Sequence, residues 1–230
     1  DGVYTADPRV VPNAKKLPEI TFADMLELAS QSAQVLHNRS VELAKKYHVN
    51  MEVVSSLKNI PGTKVKEVIK LEKTNIGGVA KMDNFARFSL VGLEDCPGVA
   101  FKVFSLLSRH NVNVDIILQS VGRSGSKDIS FTCPLGSLDD ARRVLEENKD
   151  VLEHDSIEVD DNVAKISLVG AGMMTHVGVA SDMFEALFEA NVNIQMISTS
   201  EIKISVLIKK EDANKAVAAI HAKFFEQIGQ

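Results

Sequence analysis

Cysteine is scarce in this chain, whose 230 residues include only Cys96 and Cys133. They form no CxxC pair and cannot build a four-ligand zinc site alone, and low cysteine usage suits a reducing cytoplasm. Clusters of basic residues are also missing and the net charge is −5, so nucleic acid is not expected as a partner. The longest apolar runs fall far short of the ~20 residues that a membrane helix needs, so no membrane partner is expected either.

Several signatures of catalysis are missing as well. There is no GxxxxGK[ST] phosphate loop, and the six histidines show no HExxH or comparable spacing, so no metal site is expected. Neither cysteine has a basic neighbour in sequence, which argues against a nucleophilic thiol. Gly170-Ala-Gly172 with Gly178 only weakly resembles a dinucleotide fingerprint, because the third glycine is misplaced.

What the chain does have is an internal repeat. Residues 86–92 (ARFSLVG) match residues 164–170 (AKISLVG), and Gly98-Val-Ala matches Gly178-Val-Ala. Asn111-Val-Asn113 matches Asn191-Val-Asn193 at the same spacing. Several identities at nearly constant spacing indicate a duplicated structural unit.

Each copy reads as strand, helix, strand, strand, helix. The first copy is predicted to have strands at 86–92, 112–121, 128–133 and 157–159, with helices at 99–110 and from Ser137 onward. The second copy is predicted to have strands at 164–170, 193–199 and 202–208, with helices at 179–190 and 212–225. The first copy is therefore a complete βαββαβ, ferredoxin-like unit in an α+β protein.

The second copy has no fourth strand after its last helix, which would leave a sheet edge uncovered. A strand predicted at residues 49–56 (VNMEVVSS) could cover that edge of the sheet. We therefore expect the first ferredoxin-like unit to be inserted within the second. The predicted divisions are residues 1–48, a strand segment at 49–68 that contributes to the second unit, the first unit at 82–160 and the second unit at 161–230.

The residues before the repeat read as a loop to Pro18 and then as two helices. Thr21 is predicted to cap a helix that runs to about His37, and Asn38 or Ser40 begins a shorter helix to Lys46. Residues 70–82, with Gly77-Gly78, read as a connection. The chain opens without an initiator methionine, so it is expected to be a piece of something longer.

The loop between the first strand and first helix of the first copy is a candidate binding site. Pro97 fits the first turn of a helix, and Gly98 allows close approach of a ligand. The N–H groups there suit an anion, while Asp95 or Asp115 could hold an ammonium group. A free amino acid would satisfy both ends, although Asp95 as a simple helix cap is the competing interpretation and the one the loop alone favours.

Polar residues also stand at equivalent places beside the second strand of each copy. They are Asn113 and Gln119 in the first copy, and Asn193 with Ser198-Thr199-Ser200-Glu201 in the second. Turn chemistry explains asparagine at such places, since asparagine is common in turns. The functional interpretation is a polar pocket between two units.

Together these residues resemble aspartate kinase. The resemblance rests on residues 1–9 (DGVYTADPR), 25–29 (MLELA), 35–37 (VLH) and 197–201 (ISTSE), and it covers nearly the whole chain. It implies that residues 1–48 end a kinase catalytic domain and that the duplicated units are two ACT domains, the first inserted in the second. The implied reaction is ATP-dependent phosphorylation of the side-chain carboxylate of L-aspartate, the first step towards lysine, threonine and methionine, in the cytoplasm of a bacterium.

The resemblance also implies particular site residues. Tyr4, Asp7 and Arg9 fall where the kinase holds ATP with Mg. The effector-binding positions are Asp95, Cys96, Pro97, Gly98, Val99, Ala100, Asn113, Asp115 and Gln119 in the first ACT domain, and Asn193, Ile194 and Ser200 in the second. The implied effectors are L-lysine, L-threonine or both, which need no cofactor to bind, and the implied partners are a second copy, joined through the ACT domains, and the kinase catalytic lobe.

The chain departs from the family pattern in ways that limit its activity. His37-Asn38-Arg39 stands where the family often has His-Pro-Arg, and Gln34 stands where some members place a lysine. The phosphate motif Lys-Phe-Gly-Gly-Thr and the aspartate-binding region are absent, so catalysis by this chain alone is not expected. We expect an amino-acid sensor that regulates aspartate kinase. The alternatives are a stand-alone ACT sensor of another pathway and a small active kinase.

Overall fold

The computed structural model describes residues 1–31, 36–67, 76–122, 125–170 and 177–226. The chain forms two units, each with its own hydrophobic core. The larger unit comprises Asp1–Met82 and Ala164–Gln230, and the inserted unit comprises Asp83–Val163. The predicted α+β fold, with one ferredoxin-like unit inserted in the other, is confirmed.

The described strands are β1 (Glu19–Thr21), β2 (Met51–Val53), β3 (Thr63–Lys66), β4 (Gly78–Leu93), β5 (Ile117–Val121), β6 (Lys127–Pro134), β7 (Ser156–Val169), β8 (Ile194–Thr199) and β9 (Lys203–Lys209). The helices are α1 (Phe22–Gln31), α2 (Asn38–Lys46), α3 (Val99–Arg109), α4 (Leu138–Glu147), α5 (Lys149–Leu152), α6 (Val179–Glu189) and α7 (Ala213–His221), which continues into a π-helical turn at Ala222–Glu226. Among the described residues, no helix is both long enough and apolar enough to cross a membrane.

In the inserted unit, four strands lie in the order β5-β6-β4-β7. Strand β6 pairs antiparallel with β4, with Phe88 opposite Phe131, and their rings stack at 5.3 Å between centroids. Helix α3 buries Val103 and Leu107 in the same core, because apolar residues at this spacing form one helical face. This order of elements is the predicted βαββαβ unit.

In the larger unit, the duplicated elements have strands in the order β4-β7-β9-β8. The edge place beside β7 is taken by the beginning of β4, since Gly77 N–H donates to Val169 O at 2.7 Å and Val79 joins the same core as Ile166. The prediction that residues 49–68 contribute this strand is therefore corrected. The connection predicted at 70–82 is in part a strand, while its residues 70–75 lie outside the described residues.

Strands β2 and β3 instead form a separate three-stranded sheet with β1, in the order β1-β3-β2. Val53 and Val65 are buried with α1 and α2 in a second core of the larger unit, so their apolar side chains are not available to the other sheet. Thr21 Oγ1 accepts the N–H of Asp24 at 3.0 Å, which confirms the predicted cap of α1. The end predicted for this helix lies beyond Gln31, partly in residues outside the described ranges.

Candidate functional site

The first helix of each ACT-like unit begins after a glycine in the left-handed region of backbone conformation. Gly98 precedes α3 with φ of 97°, and Gly178 precedes α6 with φ of 105°. At both positions, no heavy atom of the described residues lies within 4 Å of where a Cβ would stand. Each helix therefore starts at an open stretch of backbone, where the N–H groups of the first turn lack intrahelical partners. The dinucleotide interpretation of residues 170–178 involves residues 171–176, which lie outside the described ranges.

Asp95 does not cap α3. The N-cap residue is Gly98, and no side-chain capping hydrogen bond is formed at this helix start. The Oδ2 atom of Asp95 instead lies 3.4 Å from Nζ of Lys127 on β6, and the Asp95 side chain is 52% exposed. An ammonium group that binds Asp95 has to compete with Lys127 for the carboxylate. Lys127 is a residue that the sequence pattern did not single out, although it directly precedes the strand predicted at residues 128–133.

The other predicted residues of this loop have structural roles that differ from one another. Pro97 precedes the N-cap and is not in the first helical turn, so that expectation is corrected. Cys96 and Ala100 are half-buried and pack against the core of the inserted unit, and Val99 belongs to that core. Gly98 and Pro97 are exposed, so they are the members of this group that a ligand can reach from solvent.

The predicted residues near β5 lie along an exposed edge strand. Asn113, Asp115 and Gln119 are all exposed. Gln119 is opposite Ile129, and Val121 is opposite Lys127 in the register of β5 and β6. Gln119 therefore lies toward the Asp95–Lys127 end of the sheet.

Asp115 lies two residues before β5, where its N–H donates to Thr132 O at 3.0 Å. Four extended residues separate Asp115 from Gln119 by roughly 13 Å. The register therefore places Gln119 nearer than Asn113 and Asp115 to the end of the sheet where Lys127 pairs with Asp95. The expected turn conformation belongs to Asn111, with φ of 57°, and not to Asn113.

In the larger unit, the predicted residues lie at the two ends of β8. Asn193 lines a shallow surface concavity of about 310 Å³, together with Phe188, Asn191, Val192, Lys209 and Asp212. Ile194 is half-buried against the core. Ser200 is at the far end, where its N–H donates to Lys203 O at 2.8 Å and closes the β8–β9 hairpin. The structure does not bring Ser200 together with Asn193.

Near the chain start, the structure joins two of the three residues predicted to hold ATP. The carboxylate of Asp7 accepts from the backbone N–H of Arg9 at 2.9 Å and from its guanidinium at 2.7–3.2 Å. These hydrogen bonds lower the pKa of Asp7 below its usual value, against a smaller opposing effect of burial. Tyr4 forms an isolated antiparallel bridge with Lys16. The segment is thus a structured loop that presents a guanidinium to solvent.

Other reactive chemistry is not favoured by the described residues. Burial raises the pKa of the Cys133 thiol to about 11, so it stays protonated and weakly nucleophilic near neutral pH. Within the described ranges, no group of three or more His, Cys, Asp or Glu residues could hold a metal ion. The arrangement is suited to binding a small polar molecule.

Three family profiles match the chain. Two are described as ACT domain and match residues 90–153 and 166–224. The third is described as amino acid kinase family and matches residues 1–55. The two ACT matches fall on the two copies of the repeat.

Known proteins with similar sequences and structures cover the same regions. The aspartokinase of Corynebacterium efficiens is 45% identical over 229 residues, which are 97% of this chain and 54% of that protein. The aspartate kinase structure of Clostridium acetobutylicum has a TM-score of 0.87 at 30% identity, over 97% of this chain and 52% of that one. Escherichia coli aspartokinase III in complex with lysine and aspartate has a TM-score of 0.78 at 30% identity, over 97% and 50%.

The regulatory subunit of aspartate kinase from Thermus thermophilus has a TM-score of 0.62 at 34% identity, and the match covers 66% of this chain and 99% of that subunit. The chain thus spans about half the length of the curated relatives it matches, but nearly all of this separate regulatory subunit. The chain belongs to the aspartate kinase family and carries that family's regulatory region with two ACT domains.

Proposed function

We propose that this chain is an amino-acid-sensing region that mediates feedback inhibition of an aspartate kinase by L-lysine, L-threonine or both. The observation that carries the proposal is the open glycine at the start of α3 and again at the start of α6. The N–H groups of the first helical turn have no intrahelical partners, so they suit the carboxylate of a free amino acid. The lysine complex of the Escherichia coli relative supports lysine as one candidate effector.

The Asp95–Lys127 pair supplies opposite charges beside the first of these helix starts. In our proposal the ligand ammonium binds Asp95, and Lys127 turns to solvent or toward the ligand carboxylate. Gln119 adds an amide on the neighbouring strand. The equivalent site in the second ACT domain uses Asn193, Ile194 and Ser200, which lie at separate ends of β8, so partner residues are needed to complete it.

The partner that completes such sites is proposed to be a second copy of this chain. All five residues of β5 are exposed, including Ile117, Leu118 and Val121. Unpaired backbone groups and apolar side chains on an edge strand favour pairing with another strand. Sedimentation should therefore give a dimer for the wild-type chain and a shift toward monomer for Leu118→Lys. A wild-type chain that sediments as a monomer would contradict this part of the proposal.

The second proposed partner is a kinase catalytic lobe, whose final portion is residues 1–48. Exposed apolar side chains near this portion, namely Tyr47, Val54 and Leu57, support a covering partner of that kind. Tyr4, Asp7 and Arg9 would contact ATP, whose Mg-bound phosphates carry the transferable group, and the Arg9 guanidinium suits phosphate oxygens. The free thiols support a cytoplasmic location.

Titration calorimetry of the chain with lysine and with threonine tests the sensor function. We expect saturable heat with at least one of them, and no heat from glycine at the same concentration as a control for the zwitterion alone. Absence of heat with both amino acids would overturn the proposal. An assay with ATP and aspartate should show no turnover by this chain alone, and turnover would show that the lobe is not required.

A further inference from the structure

We propose that His221 is a positioning residue for segment 4–9, and that α7 with its π-helical turn is the element through which the second ACT domain acts on that segment. The inference rests on the proposed function, because the nucleotide role of segment 4–9 belongs to it. Every contact in the argument lies within the larger unit.

Thr5 lies between Tyr4 and Asp7 and is 3% exposed. Its backbone N–H donates to Lys15 O at 2.9 Å, and its carbonyl accepts the N–H of Val79 at 2.7 Å. Its side-chain Oγ1 accepts the N–H of Lys15 at 3.0 Å and lies 2.8 Å from Nε2 of His221. The segment is therefore fixed to β4 through its backbone and to α7 through one side chain.

His221 is fully buried and has a defined hydrogen-bonding role. Nε2 accepts the hydroxyl hydrogen of Thr5 when the ring proton is on Nδ1, the tautomer that the neighbouring Glu226 carboxylate favours. Nδ1 faces the Glu226 carboxylate at 3.7 Å. Burial lowers the pKa of His221 more than Glu226 raises it, so the ring is neutral and able to accept at neutral pH.

The turn that follows α7 holds the other side of the same segment. Phe225 stacks on the His221 ring with centroids 4.8 Å apart, and its carbonyl accepts from Lys15 Nζ at 3.3 Å. We call His221, Phe225 and Glu226 the C-terminal clasp. The clasp contacts Thr5 and Lys15, the residues at the two ends of the loop that contains Asp7 and Arg9.

Hydrophobic packing joins the same two elements. Ala6 and Val11 belong to one core cluster with Ile220 and Phe224. Packed cores shift as units and do not deform continuously, so a displacement of α7 moves the segment that holds Asp7 and Arg9. The second ACT domain is thus in direct contact with the proposed nucleotide segment and needs no intervening linker.

Hydrogen exchange of the chain tests the clasp. Thr5→Val leaves Nε2 of His221 and the N–H of Lys15 without their partner, and His221→Phe leaves the Thr5 hydroxyl without Nε2. Amides of residues 3–11 should therefore exchange about tenfold faster in each variant. Thr5→Ser keeps the hydroxyl and should stay within about twofold of wild type. The double variant Thr5→Val/His221→Phe should recover part of the protection, because it removes both members of the Thr5–His221 pair while the Lys15 N–H stays unpaired. Exchange in α6 and β8 should be equal in all variants.

The proposal is overturned if the single variants match wild type, or if α6 and β8 lose protection equally, which would indicate general loosening of the unit. A second measurement adds whichever of lysine or threonine gives heat in calorimetry. Saturation should change protection of residues 3–11 in wild type by at least about twofold, a modest coupling free energy, and should leave it unchanged in Thr5→Val. Equal changes in the wild-type chain and in Thr5→Val would show that α7 does not connect the second ACT domain to residues 3–11.

The two proposals can fail separately. If neither amino acid binds, the sensing function fails, while the substitution series still decides whether His221 positions segment 4–9. If an amino acid binds and the protection of residues 3–11 does not change in the wild-type chain, the sensing function stands. The proposal that the second ACT domain acts on segment 4–9 through α7 is then wrong.

Discussion

The hydroxyl of Ser167 on β7 donates to Oε1 of Gln31, the last residue of α1, at 3.2 Å. Both residues are buried, and Ser167 also shares a hydrogen bond with Ser205 on β9 at 2.8 Å. Nearby, Lys203 Nζ donates to Glu27 Oε2 at 2.9 Å. Helix α1, which belongs to the part matched by the amino acid kinase family, therefore rests on the sheet of the second ACT domain through polar contacts.

Ser167→Ala should lower the free energy of unfolding by about 1–3 kcal/mol, because a buried amide oxygen loses its donor. Gln31→Leu combined with Ser167→Ala should cost less than Ser167→Ala alone, since both polar partners are removed. Urea unfolding measures both, with Ser181→Ala on the exposed face of α6 as the matched control. An additive loss in the double variant would contradict a direct bond between the two side chains.

Gly92 on β4 is expected to tolerate no side chain. Its φ is 75°, and an added Cβ would lie 2.1 Å from Oδ2 of Asp155. Gly92→Ala should therefore lower the free energy of unfolding by about 2 kcal/mol or more, from backbone strain and this collision. Gly136→Ala, where no described heavy atom lies within 4 Å of the new Cβ, is the control and should change thermal stability little.

Adding Asp155→Ala to Gly92→Ala separates the two causes. The two shortest contacts, with Oδ2 and Cγ of Asp155, disappear, while Cβ of residue 155 stays 2.9 Å away and the strain of positive φ remains. The double variant should therefore recover only part of the lost stability. Full recovery would mean that the backbone at Gly92 carries no strain, and an unchanged Gly92→Ala protein would refute both causes.

Asp95→Asn should weaken amino-acid binding by about tenfold or more, because a charge-assisted hydrogen bond to the ammonium group is lost. Gln119→Leu should weaken binding to a smaller extent, since it removes a neutral partner. Calorimetry measures both, and Asp139→Asn on exposed α4 of the same unit is the control for net charge. Unchanged affinity in Asp95→Asn would move the binding site elsewhere.

Acid should destabilise the chain through His154. This side chain is 8% exposed, and neither ring nitrogen has a hydrogen-bond partner among the described residues. Burial, with a contribution from Lys149, lowers the pKa of His154 below its ordinary value of 6.5. The unfolded chain then binds a proton below about pH 6.5 that the folded chain resists, so stability present above that pH is lost as the pH falls.

His154→Leu should therefore make the loss of stability between pH 7.5 and pH 5.5 shallower in urea unfolding. His221 contributes in the same direction, since burial lowers its pKa too, so the slope will decrease but not vanish. His110→Gln, at an exposed position, should leave the slope as in wild type. A slope that is equal in the wild-type and His154→Leu chains would contradict the prediction.

The sequence alone predicted the features that depend on local pattern. The repeat and the helix start at Thr21 followed from matching residues and cap chemistry. The insertion followed from the strand count, although the missing strand was assigned to residues 49–56 and not to residues 78–82. The strand at residues 78–82 was missed because Gly77-Gly78 indicates a turn, whereas the structure pairs this stretch with β7. Lys127 was missed for a related reason, since only the register of β4 with β6 brings it to Asp95. Contacts between residues distant in sequence depend on packing that no short pattern records.

Hydrogen exchange of the wild-type chain with lysine or threonine shows whether a free amino acid binds at the open helix starts of the ACT domains. At saturation, amides of residues 94–102 or 177–182 should gain protection, with residues 117–121 also protected if the edge strand takes part. Saturable binding with protection confined to other parts of the chain, or no protection with either amino acid, would contradict the account.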